Sequence, residues 1–251
     1  MAKVIAPFKI VGTLGDVNFY IAEDKKTNLA RQKGKTGVSS EEFKRNPIFT
    51  KVKNHAKEFG RCTKKAILFR HLALHFNKRA KNGSFAGRCN KLLLDVLYED
   101  NVNPEGERTF EKGMESEEAR QYFVGFEGNI LRPLKTVLKS KWYWNPENNE
   151  FKINKFNPSR HIDWPEKAEQ VHIAIARTSW NFIDNKFTTE YSEEIIIEKQ
   201  EKTANLLLNT KTANENDFNM VYLFIGFSFK DRKRTKELKR SNNTVCIIWA
   251  K

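Results

Sequence analysis

The sequence predicts an α+β protein in three parts. These are an N-terminal β-hairpin arm (1–33), a basic helical segment (34–139) and a C-terminal antiparallel β-sandwich or barrel (140–251). Three observations carry that division. Two strand-like runs flank a glycine turn near the start. The stretch Lys25–Lys91 combines helical apolar spacing with nineteen Lys or Arg against three acidic residues, a net of +16 in a chain whose total is +14. After about Ser140 the texture changes to short β-branched and aromatic runs separated by Asn, Pro and Asp clusters, the pattern of a sheet protein.

In the arm, Phe8–Thr13 and Val17–Glu23 read as strands joined at Leu14-Gly15-Asp16, where glycine supplies the positive φ of a tight turn. Val17, Phe19 and Ile21 alternate onto one face, with Asn18, Tyr20 and Ala22 on the other. Leu29–Gln32 is a candidate third strand, and Lys33-Gly34-Lys35-Thr36-Gly37 is a polar joint. A two-stranded hairpin is not stable alone in water, so the arm is expected to pack on something; Val17, Phe19, Tyr20 and Ile21 are its candidate anchors.

Ser39 followed by Glu41 and Glu42 marks a helix start, with a hydroxyl cap and acids in the first turn. Asn46-Pro47 interrupts it, because the residue before proline avoids the helical region. Phe49, Val52, Ala56 and Phe59 then recur on one helical face, and the pattern resumes after Gly60 through Ala66, Ile67, Phe69, Leu72 and Phe76 until Lys81-Asn82-Gly83. The next helix, Ser84 to Tyr98, is expected to bury Phe85, Cys89, Leu92, Leu93, Val96 and Leu97. A short helix over Ser116–Val124 is capped by Ser116, and Ile130–Leu138 forms either another helix or the lead-in to a strand. The expected strands of the last part are Trp142–Trp144, Glu150–Phe156, Val171–Phe182, Phe187–Tyr191, Glu194–Glu198, Asn205–Asn209, Phe218–Phe229 and Thr244–Ala250. Lys230–Arg240, with seven basic residues and two acids, reads as a solvated loop between the last two.

A hydrophobic content of 39% and nineteen Phe argue for a folded chain. Three cysteines without a CxxC spacing fit reduced, intracellular usage. No signal peptide is read at the N-terminus, and apolar runs of about five residues fall far short of the ~20 needed to span a membrane. A soluble, cytoplasmic protein with no membrane partner is expected.

Candidate chemistry is thin. Gly34-Lys35-Thr36 has the end of a phosphate-binding loop, but the glycine five residues before its Gly-Lys pair is replaced by Leu29. His71 and His75 share a helical face at i,i+4 spacing, yet a metal site needs further ligands and the HExxH glutamate is absent. Glu115, Glu117 and Glu118 are accounted for by a helix N-terminus. His161 and His172 have no acid or nucleophile at motif spacing. No catalytic residue, metal, cofactor or small-molecule substrate is implied, and a non-enzymatic protein is expected.

The basic stretch is the strongest signal. A solvated helix face interleaves Glu with Lys; here the acids are missing, and an anionic neighbour would relieve the repulsion. Lys51, Lys53, Lys57, Arg61, Lys64, Lys65 and Arg70 are the candidate contacts. The neighbour is either nucleic acid, DNA or RNA, or an acidic protein surface, and charge patterning does not separate them. Glu105–Glu127, with seven acids, is one such surface within the chain. A structural subunit that forms a homo-oligomer through an exchanged arm is the first expectation, and a nucleic-acid-binding protein the alternative.

GTLGDVNFY (12–20), LARQKG (29–34) and SSEEFKRNPIFTKVKNHAKEFG (39–60) together resemble the N-terminal signature of a bacterial family of uncharacterised proteins. In that family a GxxGxxxFY hairpin precedes an RxKG turn and a basic helix ending in EFG. The resemblance covers roughly the first 70 residues and implies a shared architecture; it brings no catalytic residues.

Overall fold

A computed structural model describes residues 2–22, 26–34, 37–201, 205–211, 214, 216–232 and 234–251. The protein is α+β, and its internal contacts divide it into two compact units, residues 1–50 and 51–251. Composition changes at 33 and 139, whereas contacts change at 50, because the basic helices and the β-rich part build a common core.

The first unit is a four-stranded antiparallel sheet. Its strands are β1 (Ala2–Val4), β2 (Gly12–Leu14), β3 (Val17–Ile21) and β4 (Asn28–Gln32), in the order β1-β4-β3-β2. The expected turn is present, with Gly15 at φ +55. The expected hairpin is therefore half of a larger sheet, and both edges of β3 are paired within the chain. Phe8–Val11 is not a strand; Asn28 instead holds Ile10, accepting from its N–H at 2.9 Å and donating to its carbonyl at 2.8 Å. Helix α1 (Ser40–Arg45) begins where Ser39 accepts from the Glu42 N–H at 3.0 Å and ends at Asn46 before Pro47. Glu23, Lys35 and Thr36 lie outside the described residues, so the end of the expected Val17–Glu23 strand and the Gly34-Lys35-Thr36 reading have no structural counterpart.

The second unit opens with α2 (Thr50–Leu72), α3 (Leu74–Arg79) and α4 (Phe85–Tyr98), followed by the short α5 (Phe110–Gly113), α6 (Glu117–Gln121) and α7 (Leu134–Val137). The strands are β5 (Tyr143–Asn145), β6 (Glu150–Asn154), then after α8 (Pro158–His161), β7 (Gln170–Asn181), β8 (Lys186–Tyr191), β9 (Ile195–Glu198), β10 (Asn205–Asn209), β11 (Phe218–Asp231), β12 (Arg234–Glu237) and β13 (Thr244–Ala250). All eight expected strands are present. The expected loop at Lys230–Arg240 is instead a hairpin, with β12 paired to the end of β11 and all four of its side chains exposed. Helix α4 buries the six residues its spacing predicts.

β11 lies at the centre of a six-stranded antiparallel sheet, paired with β7 on one side and with β13 and β12 on the other; β8 and β9 continue beyond β7. The sheet curls into a half-barrel, and a register shift between Val221 and Tyr222 adds local bend. A second, three-stranded sheet runs β10-β6-β5.

Alternation on β7 and β11 makes two cores. Ala174, Ala176 and Trp180 with Phe218, Met220, Tyr222 and Phe224 pack against Phe69, Phe76, Leu93 and Phe110 of the helices. Val171, Ile173 and Ile175 with Val221, Leu223, Ile225 and Phe227 pack against Phe151, Ile153, Leu206 and Leu208 of the smaller sheet. Both central strands are buried on both faces, which is why their sequences read as continuous apolar runs. Each large side chain so buried contributes about 1.5–3 kcal/mol.

Candidate assembly arm and basic helix face

In the N-terminal sheet, cross-strand register assigns the faces. Val17 stands opposite Leu14 and Gln32, Phe19 opposite Gly12 and Ala30, Ile21 opposite Asn28, and Ala30 and Asn28 opposite Ala2 and Val4. One face therefore carries Ala2, Val4, Leu14, Val17, Phe19, Ile21 and Ala30, with Asn28 and Gln32 among them. Tyr20 lies on the other face with Asn18, Arg31 and Lys3, and its ring carries the Arg31 guanidinium at 5.7 Å. Of the four expected anchors, Val17, Phe19 and Ile21 share one face and Tyr20 is on the other. Among the described residues 2–50 no apolar side chain is buried; Asn28 is the one buried residue, and Leu14 is 75% exposed. The edge strands β1 and β2 have three residues each. Short edges are poor templates for pairing with another sheet; on the apolar face Val4, Val17, Phe19 and Ala30 are half-buried, and Leu14 and Ile21 are exposed.

Helix α2 divides lengthwise into three sectors. Its buried residues are Glu58, Cys62, Ala66, Phe69 and Leu72, not the stripe through Phe49, Val52, Ala56 and Phe59. That stripe is open: Val52 is 53%, Phe59 47% and Ile67 47% exposed. The spacing is helical, but the buried side is the one where Cys62, Ala66 and Phe69 meet the sheet and α4. At ~100° per residue, Lys53, Lys57 and Lys64 fall within about 40° of one another and form a basic strip next to the apolar one.

The candidate polyanion residues are used differently. Lys51, Lys57 and Lys64 are exposed, and Lys53 is half-buried. Arg61 is exposed and donates to the Arg108 carbonyl at 2.8 Å. Arg70 is half-buried, on the helix flank near Cys89. Lys65 is occupied: it donates to the Phe182 carbonyl and to Asn185 Oδ1 at 2.7 Å, and pairs with Glu111 at 2.7 Å. All three of its N–H donors are thus spent tying α2 to α5 and to the β7–β8 turn.

Glu58 anchors the helix from its buried side. It accepts from Gly106 N–H at 2.7 Å and from Arg108 at 2.9 and 3.1 Å. Burial raises its carboxyl, but these bonds and the Arg108 charge outweigh it and leave the pKa below the ordinary value.

A second buried polar group was invisible in the sequence. His172 Nδ1 lies 2.5 Å from Glu194 Oε1 and its Nε2 lies 2.7 Å from Ser228 Oγ. Glu194 is also held by Arg79 at 2.6 and 3.0 Å, and Arg79 pairs with Glu237 at 2.8 Å. Serine, histidine and carboxylate thus follow one another as in nucleophilic hydrolases. Here Ser228 is 0% exposed and also bonds Gln170 Oε1 at 3.1 Å, and a nucleophile without access meets no substrate. The three members come from β7, the β8–β9 loop and β11, 22 and 56 residues apart from His172. No local motif could announce them.

The cysteines are buried and unpaired by disulfide. Burial pushes the Cys62 and Cys89 thiols up to about 12, so neither is a ready nucleophile at neutral pH. His75 contacts Arg79 at 3.3 Å and packs against Tyr191, while His71 is exposed. Among the described residues no group of three or more His, Cys, Asp or Glu is placed to hold a metal, and no helix is long and apolar enough to cross a membrane. Comparison with family models, curated proteins and solved structures returns no match to this chain.

Proposed function

We propose that the protein is a non-enzymatic structural subunit that assembles with copies of itself through its N-terminal sheet, while the basic face of α2 meets an acidic protein partner. The observation that carries the first half is the amphipathic sheet of residues 2–32, whose apolar face has no buried apolar side chain. Covering what remains exposed of that face would add to the stability of so small a sheet. A second copy is the occupant that every solution of the protein contains, and a symmetric or head-to-tail exchange of the arm would supply it. The bacterial family whose N-terminal signature the chain resembles would share this arm.

The second half rests on α2. Its exposed apolar strip beside Lys53, Lys57 and Lys64 suits an acidic surface that also brings apolar side chains, and a phosphate backbone would leave that strip uncovered. Nucleic-acid binding by Lys51, Lys53, Lys57, Arg61 and Lys64 is the alternative reading, favoured by the cations alone. The burial of Ser228 and of the thiols supports the non-enzymatic reading.

Sedimentation velocity over a range of concentrations tests the assembly. Wild-type protein is expected to associate at tens of micromolar, and Val17→Ser with Phe19→Ser to leave a folded monomer, whereas Tyr20→Ser leaves the association in place. A wild type that stays monomeric would end this reading. Reversal of Lys53, Lys57 and Lys64 to Glu, assayed for DNA and RNA binding at low salt, separates the two partners: steeply salt-dependent binding that these changes abolish would establish the alternative.

A further inference from the structure

The lysine row of α2 has the open apolar strip on one side and a cleft of about 570 Å³ on the other. Arg61, Lys64 and Leu68 line the cleft from α2 and fall within about 60° of one another, at ~100° per residue. Phe110 lines it from α5 and Ile183 from the turn between β7 and β8. All five belong to the second compact unit.

Lys65 fixes the shape. Its bonds to the Phe182 carbonyl, to Asn185 Oδ1 at 2.7 Å and to Glu111 at 2.7 Å join the three walls. Glu111 is the one carboxylate among the described lining residues, and Lys65 neutralises it. The remaining charge is positive. Lys64 is exposed, and no acid pairs with it among the described residues. Arg61 spends one of its five N–H donors on the Arg108 carbonyl at 2.8 Å.

The apolar part is equally specific. Turns favour Asp and Asn, which stand at 184 and 185. Ile183 departs from that rule and is 72% exposed, beside Leu68, which packs at the edge of the first core. Phe110 is the one ring lining the cleft among the described residues. It is 2% exposed and already packed by Trp180 at 5.4 Å and Phe182 at 5.7 Å between centroids. It offers no open face on which a nucleic-acid base could stack. Two cations beside an aliphatic wall instead match a carboxylate-bearing partner with an aliphatic side chain.

We propose that the acidic protein partner of α2 docks in this cleft through a leucine or isoleucine flanked by acidic residues. The aliphatic side chain enters between Leu68 and Ile183, and the neighbouring carboxylates meet Arg61 and Lys64. The proposal rests on the reading of α2 as a protein-binding face and names the chemistry of what that face takes.

Fluorescence anisotropy of the full chain tests it with a labelled synthetic peptide that places one leucine between two glutamate pairs. Control peptides carry serine for the leucine, or glutamine for the glutamates. The leucine–glutamate peptide is expected to bind saturably, and each control about tenfold more weakly or worse. Ile183→Asp is expected to weaken binding by about tenfold or more, since it removes the apolar wall and repels the peptide. Arg61→Ala and Lys64→Ala are each expected to weaken it by about threefold or more and to flatten its salt dependence. All three side chains are exposed, and circular dichroism checks that the variants fold. Absence of saturable binding, equal binding of either control, or an affinity indifferent to Ile183→Asp would overturn the proposal. Binding that survives Ile183→Asp but is lost in Val52→Ser with Phe59→Ser would move the partner to the open strip, which ends the proposal and leaves the protein-partner reading standing. Steeply salt-dependent DNA or RNA binding that the lysine reversals abolish would end that reading, and this proposal with it.

Discussion

Replacing Glu194 with Gln should make the protein less stable at neutral pH but should matter far less in acid. Glu194 bridges α3 and the large sheet, with Arg79 at 2.6 and 3.0 Å on one side and His172 at 2.5 Å on the other. Burial on its own would raise the carboxyl. Hydrogen bonds from His172 and Arg79, and their charges, outweigh that and hold it at about 2 against an ordinary 4.5. The unfolded chain takes up the proton more readily than the folded one, so the carboxylate stabilises the fold fully above its unfolded pKa. That contribution is lost as pH falls through 4.5 toward 2. At 1.36 kcal/mol per pKa unit the whole effect is about 3 kcal/mol, and about 2 kcal/mol of it is gone at pH 3. Urea unfolding of wild type and Glu194→Gln at pH 6 and pH 3, followed by tryptophan fluorescence, measures it. The gap between the two proteins should narrow by about 2 kcal/mol on acidification. An equal gap at both pH values, or a variant as stable as wild type at pH 6, would refute the reasoning.

Other perturbations follow from close contacts. Glu58→Ala strands Arg108 and the Gly106 N–H and should cost about 3–5 kcal/mol, read from thermal unfolding by circular dichroism; a loss under ~1 kcal/mol would mean the pair is not buried in solution. Gly113→Ala places a methyl 2.0 Å from the Val96 carbonyl oxygen and should lower the melting temperature markedly, since backbone must move. Gly87→Ala, with nothing within 4 Å, is the matched control and should be neutral or mildly stabilising, because alanine favours helix over glycine by about 1 kcal/mol.

Much of the fold was legible because local pattern and burial agree. In α4, the positions Phe85, Cys89, Leu92, Leu93, Val96 and Leu97 are buried as their spacing demands, and the eight expected strands carry a two-residue alternation or a continuous apolar run. β12 escaped because Arg234, Thr235, Lys236 and Glu237 are all exposed; a strand with no buried side chain has no hydrophobic period to read. The arm was half-read, because β1 is three residues long and Asn28, a turn-former by propensity, is the buried pivot of β4. In α2 the spacing marks the helix and its second half, where Ala66, Phe69 and Leu72 are buried as expected, but Val52, Phe59 and Ile67 are exposed. Two stripes compete along it, and the winner is set by Phe69, Leu72 and Cys62 meeting residues far along the chain. The sites show the same limit. Val17, Phe19 and Ile21 share a face by strand geometry alone. The pairing of Glu58 with Arg108, or of Arg177 with Trp249, depends on which strands and loops become neighbours.

The pairing of β7 with β11 also sets the order in which the chain can become stable. The apolar sides of Phe69, Phe76 and Leu93 rest on Ala174, Ala176, Met220 and Phe224, and the later of those strands ends at Asp231. A ribosome that has released only the helices has produced them without the surface that buries them. The basic segment therefore emerges early, charged and apolar at once, and waits for some 130 further residues before its core can close. During that interval mutual repulsion of its lysines would oppose association of the nascent helices, and a chain truncated before Asp231 would expose the helical core to aggregation. On that reasoning the positive charge would act first on the unfinished chain, before any partner is met.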